Sequence, residues 1–241
     1  YSYSMSISRQ NLTIVIVTFK SEGVIHQCIQ SIDKDIQIIV IENSNNKRFK
    51  DEIEKKYLNV RCHLSKDNLG MGAGNNLGIE HVKTDYILIL NPDVILEDLT
   101  INEMILAANK ISSFAILSPI SSNKNYPNYQ LRENKKYSFQ NTEAFEVRSV
   151  DGFAMLLDIK KIELTIDKKD TTFFDENFFM YLENDDLCKR IIDAEEDIYI
   201  APISKIKHLG GKAVNVKYKN DVEFARNWHW IWSKFYFNKK H

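Results

Sequence analysis

Glycine and proline are scarce, with eight and four in 241 residues. That excludes collagen-like, linker-rich and low-complexity chains. Cysteine is scarcer still. Cys28, Cys62 and Cys188 stand far apart, odd in number and without a Cys-x-x-Cys pair. The pattern argues against a disulfide frame or zinc site and for buried thiols in a reducing compartment. No apolar run approaches the ~18–20 residues that span a bilayer. A net charge of −1 gives no reason to expect a nucleic-acid partner. The N-terminus is polar and carries no signal-peptide pattern, so residues 1–11 are expected to be a tail or cloning remnant, with Met5 as a native start.

What is present is alternation. With 44% hydrophobic and 27% charged residues, the chain suits one large α/β domain. Leu12–Val17, Ile36–Ile41, Val60–Leu64, Tyr86–Leu90, Phe114–Leu117 and Phe153–Leu157 are short apolar runs bounded by polar turns. Such runs read as strands buried on both faces. Between them lie helical spacings: Val24, Ile25, Cys28, Ile29; then Phe49, Ile53, Tyr57; then Gly70 to about Val82; then Leu99, Glu103, Ile105, Leu106. The order predicts a doubly wound, mostly parallel sheet. Ser118–Arg148 reads as one long, partly mobile connection. Beyond it come an aromatic stretch, Phe173–Leu182, a helix over Asn184–Ala194, and a short strand, Ile198–Ala201, ended by Pro202. An aromatic helix over Val222–Phe237 follows. Residues 12–117 and 118–241 are expected to form two halves of one domain.

Two features concentrate chemistry. Tyr86–Leu90 stops on Asn91-Pro92-Asp93. Pro92 cannot join a sheet ladder, so Asp93 should stand at the carboxyl edge of the sheet, where open α/β folds bind ligands. Half of the glycines fall at Gly70, Gly72, Gly74 and Gly78, bracketed by Asn68, Asn75 and Asn76. Such clustering means close backbone approach, either to a packed neighbour or to a phosphate or sugar. A P-loop is excluded, since Gly-Lys-Ser/Thr is missing. So is the dinucleotide fingerprint, since the third glycine is absent and the first strand does not precede it.

Six segments then fall in one order: Ile14-Val-Ile-Val-Thr-Phe19, Val40-Ile-Glu-Asn-Ser44, Asp67–Gly78, Leu88-Ile-Leu-Asn-Pro-Asp93, Phe178–Cys188 and Lys207-His-Leu-Gly-Gly211. Together they resemble family 2 glycosyltransferases of the rhamnosyltransferase-like subgroup, from about Leu12 to Gly211. The resemblance implies a GT-A fold and an inverting transfer from a UDP- or dTDP-sugar to a glycan or lipid-linked acceptor in surface polysaccharide synthesis. It implies Mn²⁺ or Mg²⁺ as cofactor, held by Asp93 at the Asp-x-Asp position with His208 completing the site. Thr18, Phe19 and Glu42 match the loops around the base and ribose, and Asn91 the sugar or metal shell. Asn68, Gly70, Gly74 and Asn75 are expected on the donor side, and Asp151 with Gly152 in the acceptor pocket.

An inverting displacement needs a base for the acceptor hydroxyl. The acidic helix start Glu183-Asn184-Asp185-Asp186 should supply it, although acids are also favoured there as caps. Where the family has its base, this chain has Asn184, which takes no proton. Either Asp185 or Glu183 then does the work, or the chain is a catalytically impaired sugar-nucleotide binder. A sugar-nucleotide pyrophosphorylase is discounted, because Thr18-Phe19-Lys20-Ser21-Glu22 is not the glycine-rich basic loop that class needs. Arg132 and Arg148 could reach a phosphate, and Phe179 and Tyr181 serve either the core or a sugar. His26, His63 and His81 are expected to have no catalytic role. In the tail, Trp228, Ile231, Trp232 and Phe235 share a face. It either packs over the acceptor side or seats a cytoplasmic protein on the inner face of the membrane. The ending on Lys-Lys-His reads as a trimmed longer protein.

Overall fold

In a computed structural model, residues 6–123, 125–133, 142–165, 173–210 and 219–241 are described. The strands are β1 (Leu12–Thr18), β2 (Gln37–Glu42), β3 (Val60–Leu64), β4 (Tyr86–Leu90), β5 (Val94–Leu96), β6 (Ile116–Ser121), β7 (Tyr129–Gln130), β8 (Phe145–Glu146), β9 (Ser149–Val150), β10 (Ala154–Asp158) and β11 (Ile198–His208). The helices are α1 (Glu22–Gln30), α2 (Lys47–Lys56), α3 (Gly70–Glu80), α4 (Thr100–Lys110), α5 (Ile159–Thr165), α6 (Glu183–Asp193) and α7 (Lys219–Lys240).

The main sheet runs β3-β2-β1-β4-β10-β6-β11-β5, with β8 against β11. Every residue of β1 and β4 is buried, as their unbroken apolar runs require for central strands covered on both faces. Alternation splits them between two cores. Leu12, Ile14 and Ile16 face a cluster with α1, α2 and α4, while Val15 and Val17 face a cluster containing Leu187, Cys188 and Ile191 of α6.

One reversal of direction sets the site. β1 to β4 are parallel, but β10 lies antiparallel to both β4 and β6. A parallel strand brings its end to the ligand edge; a reversed strand brings its beginning. Ala154 therefore pairs with Leu90, and the residues before it lie beside those following β4. The Asn91 amide donates to the Phe153 carbonyl at 2.9 Å.

Several expectations are corrected. The strand at Ile198 does not end at Pro202: β11 runs on to His208, with a register shift between Ala201 and Lys205. Proline lacks a ladder donor, and this irregularity lets the chain pass it. Its far end pairs antiparallel with β5, a three-residue strand that was not expected, and sets His208 opposite Val94. The stretch from Ser118 is not one structureless connection. β6 extends to Ser121, and β7, β8 and β9 lie within the described part. Asn128 holds this turn: fully buried, it accepts from Ser121 N and donates to the Pro119 carbonyl.

The glycines of α3 are fitted to protein. A side chain at Gly74 would strike Val17, and one at Gly78 would strike Val15. Gly70 has φ +78°, and a Cβ there would lie 2.1 Å from the Phe179 carbonyl oxygen. Neither the dihedral nor the contact tolerates a side chain. Gly70→Ala should therefore cost about 2 kcal/mol or more, above the ordinary effect of a glycine replacement, measured as a lower urea midpoint at unchanged slope.

Candidate active site

Asp93 is 7% exposed, at the turn that follows β4. Its carbonyl accepts from Leu209 N at 2.9 Å, and its Oδ2 lies 3.4 Å from His208 Nε2. Phe153 stacks on the His208 ring at 4.2 Å and fixes its plane. Beside them the Asn91 Oδ1 is buried with no hydrogen-bond partner. An orphaned buried carbonyl oxygen is costly unless a ligand completes it. A carboxylate, an imidazole and this oxygen are the donor set that a hard or borderline divalent ion accepts. Among the described residues no three His, Cys, Asp or Glu side chains gather to hold an ion unaided. A ligand bearing oxygens would have to complete the shell.

The loops after β1 and β2 lie along the same edge. Thr18 is buried, and its carbonyl accepts from Asn43 N at 2.8 Å. Phe19 is 44% exposed, an open aromatic face at the rim. Glu42 is 1% exposed, and its own loop occupies its carboxylate. Oε1 accepts from Ser44 N and Ser44 Oγ, and Oε2 from Asn46 N at 2.6 Å. Asn46 in turn caps α2 by accepting from Phe49 N. Glu42 thus shapes the loop that a base would rest on. Asn43 Nδ2 donates to the Gly70 carbonyl and ties α3 to this edge. Asn68 is exposed, with Oδ1 taking Gly70 N. Asn75 is 3% exposed, with an unpartnered Oδ1. Asn76 is spent on structure, exchanging bonds with Phe174 N and O. In Gly70 and Gly74, the direction of the missing side chain is filled by protein, so the packing reading of the glycines describes them.

Across the edge stands an acidic group. The chain enters α6 through Tyr181 and Leu182, both left-handed at φ 71° and 63°. Two such non-glycine residues in a row are strained and need external support. It comes from α7. Ser233 Oγ donates to the Met180 carbonyl, His229 stacks on Phe179 at 4.4 Å, and Trp230 meets Tyr181 edge-on. Lower down, Lys240 and His241 both reach Asp186, which is fully buried and also paired with Arg190. Lys240, Asn177 and Tyr236 donate to Asp175; burial works against them, yet they hold its carboxyl down to about 2.

Glu183 is buried with Oε2 unpartnered; burial, then the charge of Asp185, pushes its carboxyl up to about 7. Burial also raises Asp185, against the Asn184 amide and Arg148, which pull it down. Asp151 is pushed up to about 6, chiefly by burial and then by Asp185, with His208 opposing. Gly152 lies against Asn184: a Cβ there would come within 3.1 Å of the Asn184 Cβ. Asn184 Nδ2 donates to the Val150 carbonyl at 2.9 Å. The structure thus brings Asp93, His208, Asn91, Asp151, Gly152, Glu183 and Asp185 to one edge.

Tyr126 joins this group unannounced by the sequence. It is 59% exposed, and Asp151 first, then burial and Asp185, raise its hydroxyl. Its signal was an aromatic residue beside Pro127 in an otherwise polar loop. Arg132 is engaged elsewhere, with Asp197 at 2.9 Å and Glu146 at 3.4 Å. His63 and His81 stack on each other, and His26 meets Tyr57. Gly211, the end of the last sequence motif, lies outside the described residues.

The sequence profile described as "Glycosyl transferase family 2" matches residues 13–183. The low-salt glycan biosynthesis hexosyltransferase Agl10 of Haloferax volcanii is 24% identical over 196 residues, 75% of this chain and 61% of that protein. This chain therefore spans less than two thirds of that relative. Among solved structures, S. aureus TarS 1-349 in complex with UDP-GlcNAc superposes with a TM-score of 0.60 at 14% identity, over 85% of this chain and 62% of that one. GalNAc-T7 with UDP, GalNAc and Mn2+ gives a TM-score of 0.62 at 11% identity, over 82% of this chain and 43% of that one.

Replacing Glu42 by Gln puts an amide donor against an N–H of its own loop. Glu42→Gln should destabilise the fold by about 2 kcal/mol in chemical denaturation, the scale of a lost charge-assisted bond plus an unpaired donor.

Proposed function

This chain belongs to glycosyl transferase family 2 and has the GT-A fold, and on that premise we propose that it is a metal-dependent inverting glycosyltransferase. It would move a hexosyl or deoxyhexosyl unit from a UDP- or dTDP-sugar to a glycan or lipid-linked acceptor in surface polysaccharide synthesis. The observation that carries this reading is the pairing of Asp93 and His208 at 3.4 Å beside the orphaned Asn91 oxygen, with a group of carboxyls across the same edge. The bound ligands named for GalNAc-T7 and TarS, and the hexosyltransferase activity named for Agl10, support donor and metal of this kind.

In this reading Asp93 and His208 would hold Mn²⁺ or Mg²⁺, which when bound would supply Lewis-acid neutralisation of the leaving diphosphate. Asn91 turns its free oxygen to the sugar or the ion's shell. The loop braced by Glu42 receives the base and ribose, with Thr18 and Phe19 beneath. A carboxylate of the opposite group accepts the proton of the incoming hydroxyl, and Phe153 and the buried strand ends limit water at the reacting centre.

Thermal melting with UDP at about 100 times its Kd, in the presence of Mn²⁺, should raise the Tm by about 5–10 °C, since saturation of that order contributes about 2.7 kcal/mol. Asp93→Ala should abolish the Mn²⁺-dependent part. An undiminished shift in that variant would remove Asp93 from the site.

Trp228, Ile231, Trp232 and Phe235 do share one face of α7, but that face is exposed, between 44% and 65%. The packed face is His229, Ser233, Tyr236 and Lys240 instead. Among the described residues no helix is long and apolar enough to cross a membrane. An aromatic stripe with Lys234 and Lys239 on the same helix suits an anionic bilayer surface, where a lipid-linked acceptor would reside. The protein should co-sediment with phosphatidylcholine vesicles holding about a third phosphatidylglycerol and less with pure phosphatidylcholine. Replacing Trp228, Ile231 and Phe235 by Ser should abolish the binding while leaving the melting temperature within a few degrees.

A further inference from the structure

We propose that Asp151 is the general base of the transfer, standing in for the carboxylate that Asn184 does not provide. The inference rests on the glycosyl-transfer reading above and names the proton acceptor within it.

The reversed direction of β10 is the first support. Asp151 comes just before β10 and is placed at the ligand edge by two backbone bonds. Its own amide donates to the Asn128 carbonyl at 2.9 Å, and two residues on, the Phe153 carbonyl receives Asn91 N at 2.9 Å. Only Gly152 thus separates Asp151 from a residue with a direct backbone link to the turn that carries Asp93. A base must lie near the sugar carbon under attack, and that carbon is bonded to the diphosphate. Asp151 lies within electrostatic reach of His208 on that side and of Asp185 on the other. The hydrogen bond and the charge that pull Asp185 down come instead from Asn184 and Arg148. Glu183 is 9% exposed, which leaves a substrate hydroxyl little access to its carboxylate.

Asn184 explains why the base can move. Its amide donates to the Val150 carbonyl, the residue before Asp151, and also to the Asp185 carboxylate. One neutral side chain therefore fixes the approach to both carboxyls. An aspartate at 184 would have no N–H for Val150 and would add a third negative charge between them. Gly152 leaves room for the amide: any side chain there would press on Asn184. The amide reads as the partner of a relocated base, not as the scar of a lost one.

The step balances without a further reactant. The acceptor oxygen forms its bond to the anomeric carbon while its proton passes to the Asp151 carboxylate. The bond from that carbon to the diphosphate oxygen breaks, and its electron pair leaves with the nucleoside diphosphate.

The test is nucleoside diphosphate release with Mn²⁺ from UDP-glucose, UDP-galactose, UDP-N-acetylglucosamine and dTDP-rhamnose, with water as acceptor. Asp151→Asn should lower kcat about 100-fold or more, the usual scale for a lost general base, with the donor KM changed less than about threefold. Asp185→Asn should lose less than about tenfold. Asn184→Asp added to Asp151→Asn should restore at least about tenfold of the loss, which a structural role for Asp151 would not allow. Thermal melting with UDP and Mn²⁺ checks that each variant folds and binds; should Asp151→Asn not melt cooperatively, Asp151→Ser is read in its place. Release by wild type that Asp151→Asn leaves intact overturns the inference alone. A larger loss in Asp185→Asn, or no rescue by Asn184→Asp, overturns it as well. A wild type that binds UDP yet releases nothing from any donor overturns the glycosyl-transfer reading, and the inference with it.

Discussion

The pairing of β10 against β4 is the constraint on which the site depends. It is an antiparallel ladder of five residue pairs inside an otherwise parallel half-sheet. Without it, the turn bearing Asp93 and the residues Asp151 to Phe153 would sit at opposite ends of the sheet. With it, a strand end and a strand start share one edge, and one backbone bond from Asn91 to Phe153 sets their spacing. β11 adds a second reversal against β5 and brings His208 to the same place. The Asp93–His208 pair and the acid group are consequences of strand direction before they are consequences of side-chain chemistry.

A second frame holds the acid group from below. The left-handed pair Tyr181–Leu182 aims α6 so that its first turn meets the sheet edge. α7 secures that strained entry through contacts along residues 175–182 and, at its end, through Lys240 and the neighbouring His241 on the buried Asp186. Buried charges of this kind add little net stability when complete and cost several kcal/mol when broken. Their role here is placement. The same helix turns Trp228 and Trp232 outward, so one element both positions α6 and presents the aromatic surface.

Most of the sheet was legible because its strands are unbroken apolar runs, and burial on both faces leaves that pattern little freedom. Asp93 was legible because Pro92 ends the strand for a local, chemical reason. Pro202 misled for the same reason, since an irregularity in a long strand can absorb a proline, and nothing nearby in the sequence marks it. The direction of β10 left no local trace either. Parallel and antiparallel buried strands share the same composition, and direction is decided by which partner they meet. The glycines of α3 gave a true signal of close approach, but composition cannot say whether a ligand or a carbonyl oxygen approaches. The stripe on α7 was legible as one face, but not whether that face packs or stays exposed, because helical spacing says which residues align and not which side they turn.

The same reversed strand has a consequence for synthesis. β1 to β4 are complete once residue 90 has been made, and their pairings are local enough to form early. The outer edge of β4, Tyr86-Ile-Leu-Ile-Leu90, then waits for a strand that begins at Ala154. At about 5–20 residues per second, that interval is on the order of 3–13 s on the ribosome. Throughout it, an apolar, uncharged strand edge stands open, the form most prone to pair with another chain. The topology that joins the two halves of the site therefore makes the nascent protein most vulnerable between the completion of one half and the arrival of the other.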